Sequence, residues 1–255
     1  MTDKTLQTLF DAMHQGKYDF DDFMHGEIEP NYEVVTLRDR VVYHPNNKLR
    51  AYHKFINTFI CNYLELNERI VHSYRKGFSA LTAVSAHAKS RAYFQTDIDN
   101  FFASITRTLV SSTLANRSMH VPVTDFHDHI DRIVSPVTAA NSLPIGFATS
   151  PSISNSCLSG FDHDLELHCQ STGLTYTRYS DDIVISGGSR ERLLSINAIV
   201  ADLLERHFSG TLTLNAQKSK LTTIGRKIKL LGMGRRTLVC DSFRSGSPFA
   251  AGRCL

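Results

Sequence analysis

Two short runs of β-branched and aromatic residues, Thr175-Tyr176-Thr177-Arg178 and Ile183-Val184-Ile185-Ser186, are separated only by Tyr179-Ser180-Asp181-Asp182. So short a link permits a tight turn and nothing else. A tight turn demands antiparallel pairing, because parallel neighbours need a crossover of a dozen residues or more. This excludes a sheet that is parallel throughout, and with helical and strand-like stretches interleaved elsewhere it predicts an α+β chain. The turn also puts two adjacent carboxylates at its tip, where they repel each other unless a cation neutralises them. A second acid shares this setting: Asp97 ends the apolar run from Tyr93 and precedes Phe101-Phe102, which open an apolar helix. Two strand-end carboxylate sites on neighbouring strands can hold two Mg²⁺ about 3.5–4 Å apart, an arrangement that activates an attacking oxygen and stabilises a leaving one in phosphoryl transfer.

Periodicity organises the rest. Leu6, Leu9, Phe10 and Met13 recur at helical spacing behind Thr2 and Asp3, which are placed to cap the first turn. Tyr32 to Val35 and Arg40 to Tyr43 read as an extended pair, bounded by Pro30 and the turn-like His44-Pro45-Asn46-Asn47. Leu49, Tyr52, Phe55, Ile56, Phe59, Ile60, Tyr63 and Leu64 step by three and four, predicting one helix of more than four turns. Further helical stretches fall at 100–116, 124–137, 149–168 and 190–207; strand-like runs fall at 92–98, 211–215, 220–224 and 236–240, and 242–252 reads as a frayed end.

Composition bears on partners and compartment. With 42% hydrophobic and 21% charged residues over 255 positions, the chain is built for a packed core, not for disorder. The formal charge of +3 hides an asymmetry: residues 1–33 carry eight acids against two bases, and residues 215–255 nine bases against one acid. A basic end of that density suits a phosphate backbone. The five cysteines form no C-x-x-C pair and no even set, against a zinc cluster or a disulfide framework. No apolar run is long enough for a membrane span and the start is acidic, so a soluble, cytoplasmic protein without a membrane partner is expected. Asp125-Phe126-His127-Asp128-His129-Ile130-Asp131, Asp162-His163-Asp164 and His168 are read as solvated helix faces, not as metal sites.

Five segments in order resemble the reverse transcriptases of bacteria, in the retron, group II intron and defence-associated (abortive-infection type) branches, over about Arg40 to Arg235. Tyr93 to Ile105 resembles the first palm motif, and Leu143-Pro144-Ile145-Gly146-Phe147-Ala148-Thr149-Ser150-Pro151 the second. Tyr179 to Asp182 matches the family's Tyr-x-Asp-Asp. Leu214-Asn215-Ala216-Gln217-Lys218 resembles the fourth motif, and Leu230-Leu231-Gly232-Met233 the fifth, which in the family grips the primer. The resemblance implies a right-hand polymerase: a palm with an antiparallel sheet backed by helices, fingers, and a thumb reduced or missing. Its implied divisions are an acidic helical extension (1–33), fingers (34–92), palm (93–110), a helical insertion between fingers and palm (111–142), palm (143–232) and a short basic remnant of a thumb (233–255).

Carried over residue by residue, Asp97 and Asp181 become metal ligands, with Asp182 as a further acidic partner and the Ile98 carbonyl as an oxygen ligand. The ions would be two Mg²⁺, with Mn²⁺ as an alternative. Phe101, in preference to Phe102, would lie under the sugar and select dNTPs over rNTPs. Lys218 would protonate or screen the departing pyrophosphate. Arg50, ahead of Lys48, would hold the triphosphate in a guanidinium fork. Ile145 and Gly146 fall beside the nucleotide; Ile145 stands where retron and intron enzymes usually have Gln, which is closer in character to the defence-associated branch. Ala83-Val84-Ser85-Ala86-His87 keeps the His of a retron motif and lacks its Asn. Lys220, Arg226, Lys227, Lys229, Gly232, Arg235 and Arg236 form an expected duplex track.

The implied function is RNA-directed DNA synthesis from a primer 3′-hydroxyl or a protein hydroxyl, in anti-phage defence. The expected partners are an RNA template or non-coding RNA, a DNA product, dNTPs, and a second copy or another protein replacing the thumb. Alternatives are a template-independent nucleotidyltransferase, a non-catalytic nucleic-acid-binding subunit of a defence complex, and an RNA-directed RNA polymerase.

Overall fold

A computed structural model describes residues 4–38, 40–223 and 229–234. Helices α1 (Leu6–His14) and α2 (Phe20–His25) come first, then the hairpin of β1 (Tyr32–Leu37) and β2 (Arg40–Pro45), then helix α3 (Asn47–Phe59). The cap of α1 is Thr5, whose side chain accepts from the Thr8 amide, while Thr2 and Asp3 lie outside the described residues. Asp125 Oδ1 takes the Leu6 amide at 2.7 Å, so the 125–131 segment is not wholly a wet face. Phe10, Phe23, Tyr52 and Phe55 interlock with ring centroids 4.9–5.9 Å apart, each pair worth about 0.5–1.5 kcal/mol beyond the area buried. The acidic start is thereby packed on α3. Asp22 also receives the Tyr52 hydroxyl at 2.5 Å and the Lys48 ammonium at 2.5 Å.

Helix α3 is capped by Asn46 and ends at Phe59, one turn short of the predicted span. Ile60 leaves helical geometry (φ −125°, ψ −66°) and a 3-10 turn at Cys61–Tyr63 follows, which still lets Ile60 and Leu64 be buried. Then come α4 (Ala80–Ser85), β3 (Ala92–Asp97), a single turn of helix α5 (Phe101–Ser104) and α6 (Arg107–Asn116). Helices α7 (Ile130–Val137), α8 (Ser150–Cys157) and α9 (Ser159–Ser171) lead to β4 (Thr175–Tyr179) and β5 (Asp182–Gly187). Helix α10 (Ile196–Phe208) precedes β6 (Lys220–Thr223) and a two-residue pair, β7 (Lys229–Leu230) with β8 (Met233–Gly234). The run 211–215 forms no strand, contributing only the single bridge from Leu214 to Ile98; 236–240 and 242–252 lie outside the described residues.

The central sheet has the order β4-β5-β3-β6, antiparallel throughout. Strands β3 and β5 are buried on both faces, which is why their sequences run apolar without strict alternation. His87 is locked beneath them, its ring nitrogens 2.6 Å from Ser186 Oγ and 2.8 Å from Thr177 Oγ1, and burial pushes its pKa down to about 3. Among the described residues no helix is long and apolar enough to cross a membrane.

One prediction from the sequence is reversed. Asp162 is not on a solvated face: it is fully buried in α9 and grips the equally buried Arg178 of β4 bidentately, at 2.8 and 2.6 Å. Tyr176 donates to the same carboxylate at 2.7 Å. Removing one partner from such a pair strands the other charge in the core. Asp162→Asn is therefore expected to cost about 3–5 kcal/mol in denaturant unfolding at neutral pH; a loss below about 1 kcal/mol contradicts that role.

Candidate active site

The ladder of β3 and β5 sets Asp97 directly opposite Asp182 at the end of the sheet. Ser180 and Asp181 make the turn from β4, and the Asp181 carbonyl accepts from the Ile98 amide at 3.1 Å. Ser180 sits in the left-handed region (φ +60°), and its carbonyl is held at 2.9 Å by the buried Arg178 guanidinium. The turn that carries the acids is thus fixed from inside by a charge that cannot move.

Asp97 is 4% exposed. Its Oδ2 meets the Lys218 ammonium, and its buried Oδ1 has no hydrogen-bond partner among the described residues. Burial, then the neighbouring Asp181 and Asp97, push the pKa of Asp182 up to about 6, against the pull of Lys218. The bond to Asp97 raises the pKa of Lys218 in turn. Among the described residues no three Asp, Glu, His or Cys side chains are arranged to hold a metal ion. An orphaned carboxylate oxygen opposite a second carboxylate nevertheless fits a hard divalent cation by donor chemistry.

A cleft of about 690 Å³ opens in front of these acids. Arg40, Val41 and Tyr43 of the β1–β2 hairpin, Tyr74, Ile98 to Ala103, Leu143 to Ile145, Ser180, Asp181 and Lys218 line it. A second cavity of about 250 Å³ shares Asp97 and Lys218 and adds Asp182, Lys220, Lys229 and Gly232. Asp97, Ile98, Asp181, Lys218, Phe101, Phe102 and Ile145 are therefore gathered around one space, with Asp182, Lys220, Lys229 and Gly232 around the cavity beside it. Phe101, the preferred sugar platform from sequence, is 5% exposed and packs into the core; Phe102, centroid 5.2 Å away, is the more open ring.

Three assignments move. Lys48 is tied to Asp22, and neither it nor Arg50 lines the cleft; Arg40, with Lys218, supplies the cations there. Gly146 does not line the cleft either, and its glycine has a backbone cause. At φ +109° a Cβ would stand 2.2 Å from the Tyr43 carbonyl, while the Tyr43 amide bonds the Ile145 carbonyl at 2.8 Å. Arg226, Lys227, Arg235 and Arg236 lie outside the described residues.

Sequence reasoning missed Arg40, Tyr74 and the Arg178–Asp162 pair. Arg40 had a signal, since the first residue of the second predicted strand must stand near the hairpin tip. Arg178 had none, because alternation along a strand does not reveal a buried charge until its partner is placed.

A sequence profile described as reverse transcriptase (RNA-dependent DNA polymerase) matches residues 38–234. The chain is 25% identical over 213 residues to the retron Ec83 reverse transcriptase of Escherichia coli, covering 78% of this chain and 67% of that one. It is 25% identical to the Escherichia coli retron Ec86 reverse transcriptase, covering 79% of this chain and 62% of that one. The same identity relates it to the retron Se72 reverse transcriptase of Salmonella heidelberg, with 72% of this chain and 47% of that one covered. Among solved structures, the telomerase of Candida albicans with a fragment of telomeric RNA superposes with a TM-score of 0.50 and 10% identity, over 80% of this chain and 44% of that one. That likeness is one of fold, the right-hand polymerase arrangement.

The raised pKa of Asp182 has a measurable consequence. An acid whose pKa is raised by folding stabilises the fold most when protonated, so its contribution is full below pH 3.8 and is lost as pH rises through about 6. In chelator, Asp182→Asn is expected to stabilise the protein by roughly 1 kcal/mol at pH 8, the shift being discounted for solvent screening at this half-open position, with no gain from this source near pH 3.5. Thermal melts at the two pH values check it; an equal gain at both contradicts it.

Proposed function

Because this chain belongs to the reverse transcriptase (RNA-dependent DNA polymerase) family, we propose that it extends a hydroxyl terminus with dNTPs on an RNA template, in the cleft ending at Asp97 and Asp182. The observation that carries the reading is the ladder register that sets these two carboxylates opposite each other, with the Asp181 turn beside them and Lys218 on Asp97. The sheet and its helices act as palm over about 93–110 and 143–232, and the β1–β2 hairpin belongs to fingers over 34–92.

Asp97, Asp181 and Asp182 would hold two Mg²⁺ ions, which when bound supply Lewis-acid activation of the attacking oxygen and charge stabilisation at the leaving one. The chain's own groups do the rest. Arg40, on the hairpin above the cleft, offers a guanidinium fork to the triphosphate. Phe102 lies under the sugar and leaves no room for a 2′-hydroxyl. The primer hydroxyl gives up its proton to solvent as its oxygen bonds to the α-phosphorus and the bond to the bridging oxygen breaks, and the diphosphate leaves. Lys218, cationic and largely exposed, is placed to screen or protonate that diphosphate once it lets go of Asp97. Lys220, Lys229 and Gly232 border the adjoining cavity, where primer phosphates would run. The family description supports an RNA template, for which a non-coding RNA is the candidate, and the resemblance to the defence-associated branch extends the reading to anti-phage defence in the cytoplasm.

Incorporation of dTTP on a poly(rA)·oligo(dT) duplex tests the reading. The wild type is expected to extend the primer, and Asp181→Asn and Asp182→Asn to lower the rate at least about 10³-fold, equivalent to roughly 4 kcal/mol. Equal incorporation without RNA would support template-independent transfer, and a rate unchanged by either substitution removes the mechanism. Phe102→Ala is expected to raise rNTP use relative to dNTP at least about tenfold, read as the ratio of kcat/KM values; an unchanged ratio excludes Phe102 as the gate.

A further inference from the structure

One cleft residue has a role that the proposed chemistry does not use. Tyr74 is 48% exposed, yet it is fixed at both ends. Its hydroxyl lies 2.9 Å from Ser180 Oγ, in the turn that carries Asp181. Its backbone follows the fully buried Ser73, whose carbonyl takes the Asn155 side-chain amide at 3.1 Å. The chain reaches this point by running alongside β4: Val71 bridges Arg178, and the His72 amide bonds the Arg178 carbonyl at 2.9 Å. Tyr74 itself has φ +58°, a left-handed state that strains a bulky residue. A large aromatic ring is thus held in water, on a strained and immobilised backbone, facing a polymerase cleft.

We propose that Tyr74 is the base platform of the cleft: its ring stacks on an unpaired base of the RNA strand, and its hydroxyl ties that base to the Asp181–Asp182 turn through Ser180. This rests on the function proposed above. Strand order favours a base over a phosphate or the incoming sugar. In the sheet β4-β5-β3-β6, Tyr74 lies outside β4, whereas Lys218 meets Asp97 of β3 beside β6. The acids separate the two, so the departing diphosphate collects at Lys218 and the ring is left for the strand entering from the other side. A π-face accepts any base, which suits a template of arbitrary sequence. Ser180, also left-handed and held by Arg178, gives the ring a rigid link to the reacting centre.

The test uses the full chain in chelator with a DNA primer on an RNA template carrying 2-aminopurine at the first unpaired position. Wild type and Tyr74→Phe are expected to quench the fluorophore on binding; Tyr74→Gly, which removes the ring and relaxes the left-handed backbone, is expected to lose the quench and bind at least roughly tenfold more weakly. An abasic template at that position should abolish the difference between the variants. With metal and dNTP restored, Tyr74→Phe, which keeps the ring and loses the link to Ser180, is expected to lower kcat several-fold at unchanged KM. If Tyr74→Gly folds, binds and quenches like wild type, the platform is overturned while polymerisation stands. If Tyr74→Gly melts well below wild type, Tyr74→Leu, with bulk and no π-face, replaces it under the same criteria. A wild type that neither binds nor extends the duplex overturns the proposed function, and the platform with it.

Discussion

The turn at the acidic end of the sheet rests on a cation that never meets solvent. Arg178 spends its guanidinium on the Asp162 carboxylate, the Asn155 side chain and the Ser180 carbonyl. The first partner belongs to the helix behind the sheet and the last to the turn in front of it. One planar group therefore fixes the distance between the palm's backing layer and its acids. Buried ion pairs are weak sources of net stability, because desolvating two charges offsets most of their attraction. Their strength is directional: five donors in a fixed fork accept few alternative arrangements, and a turn anchored that way has one geometry.

The electrostatics of the site follow from that rigidity. Burial at the end of the sheet, and then the charges of Asp181 and Asp97 beside it, push the pKa of Asp182 up to about 6. Lys218 relieves the most buried of them, Asp97, without covering its second oxygen. The end of the sheet is a place of unmet negative charge between two cavities lined partly by cations, Arg40 in one and Lys220 and Lys229 in the other.

Much of this was legible in the sequence, for identifiable reasons. The link between β4 and β5 admits only a hairpin, so antiparallel pairing and the place of Asp181 and Asp182 follow from residue count. Asp97 is legible because an acid after an apolar run must stand at a strand end. What escaped depends on contacts distant in the chain. Asp162 reads as a wet acid until β4 brings Arg178 against it. Lys48 reads as a free cation until α2 delivers Asp22. Phe101 and Phe102 are indistinguishable as a pair; only packing shows that the first is core and the second open. Helix α3 stops early because a tight turn serves burial at Ile60 as well as another helical turn would, and periodicity does not separate the two.

The contact between Gly146 and Tyr43 bears on motion. A carbonyl lying where a Cβ would otherwise be, together with the amide bond from Tyr43 to Ile145, leaves no gap across which the hairpin could slide against the loop 143–147. Hairpin and loop are in effect one plate, with Arg40 and Ile145 on it. Any shift of the hairpin must therefore carry the loop with it, so the positions of Arg40 and Ile145 cannot be set independently; they share a single degree of freedom.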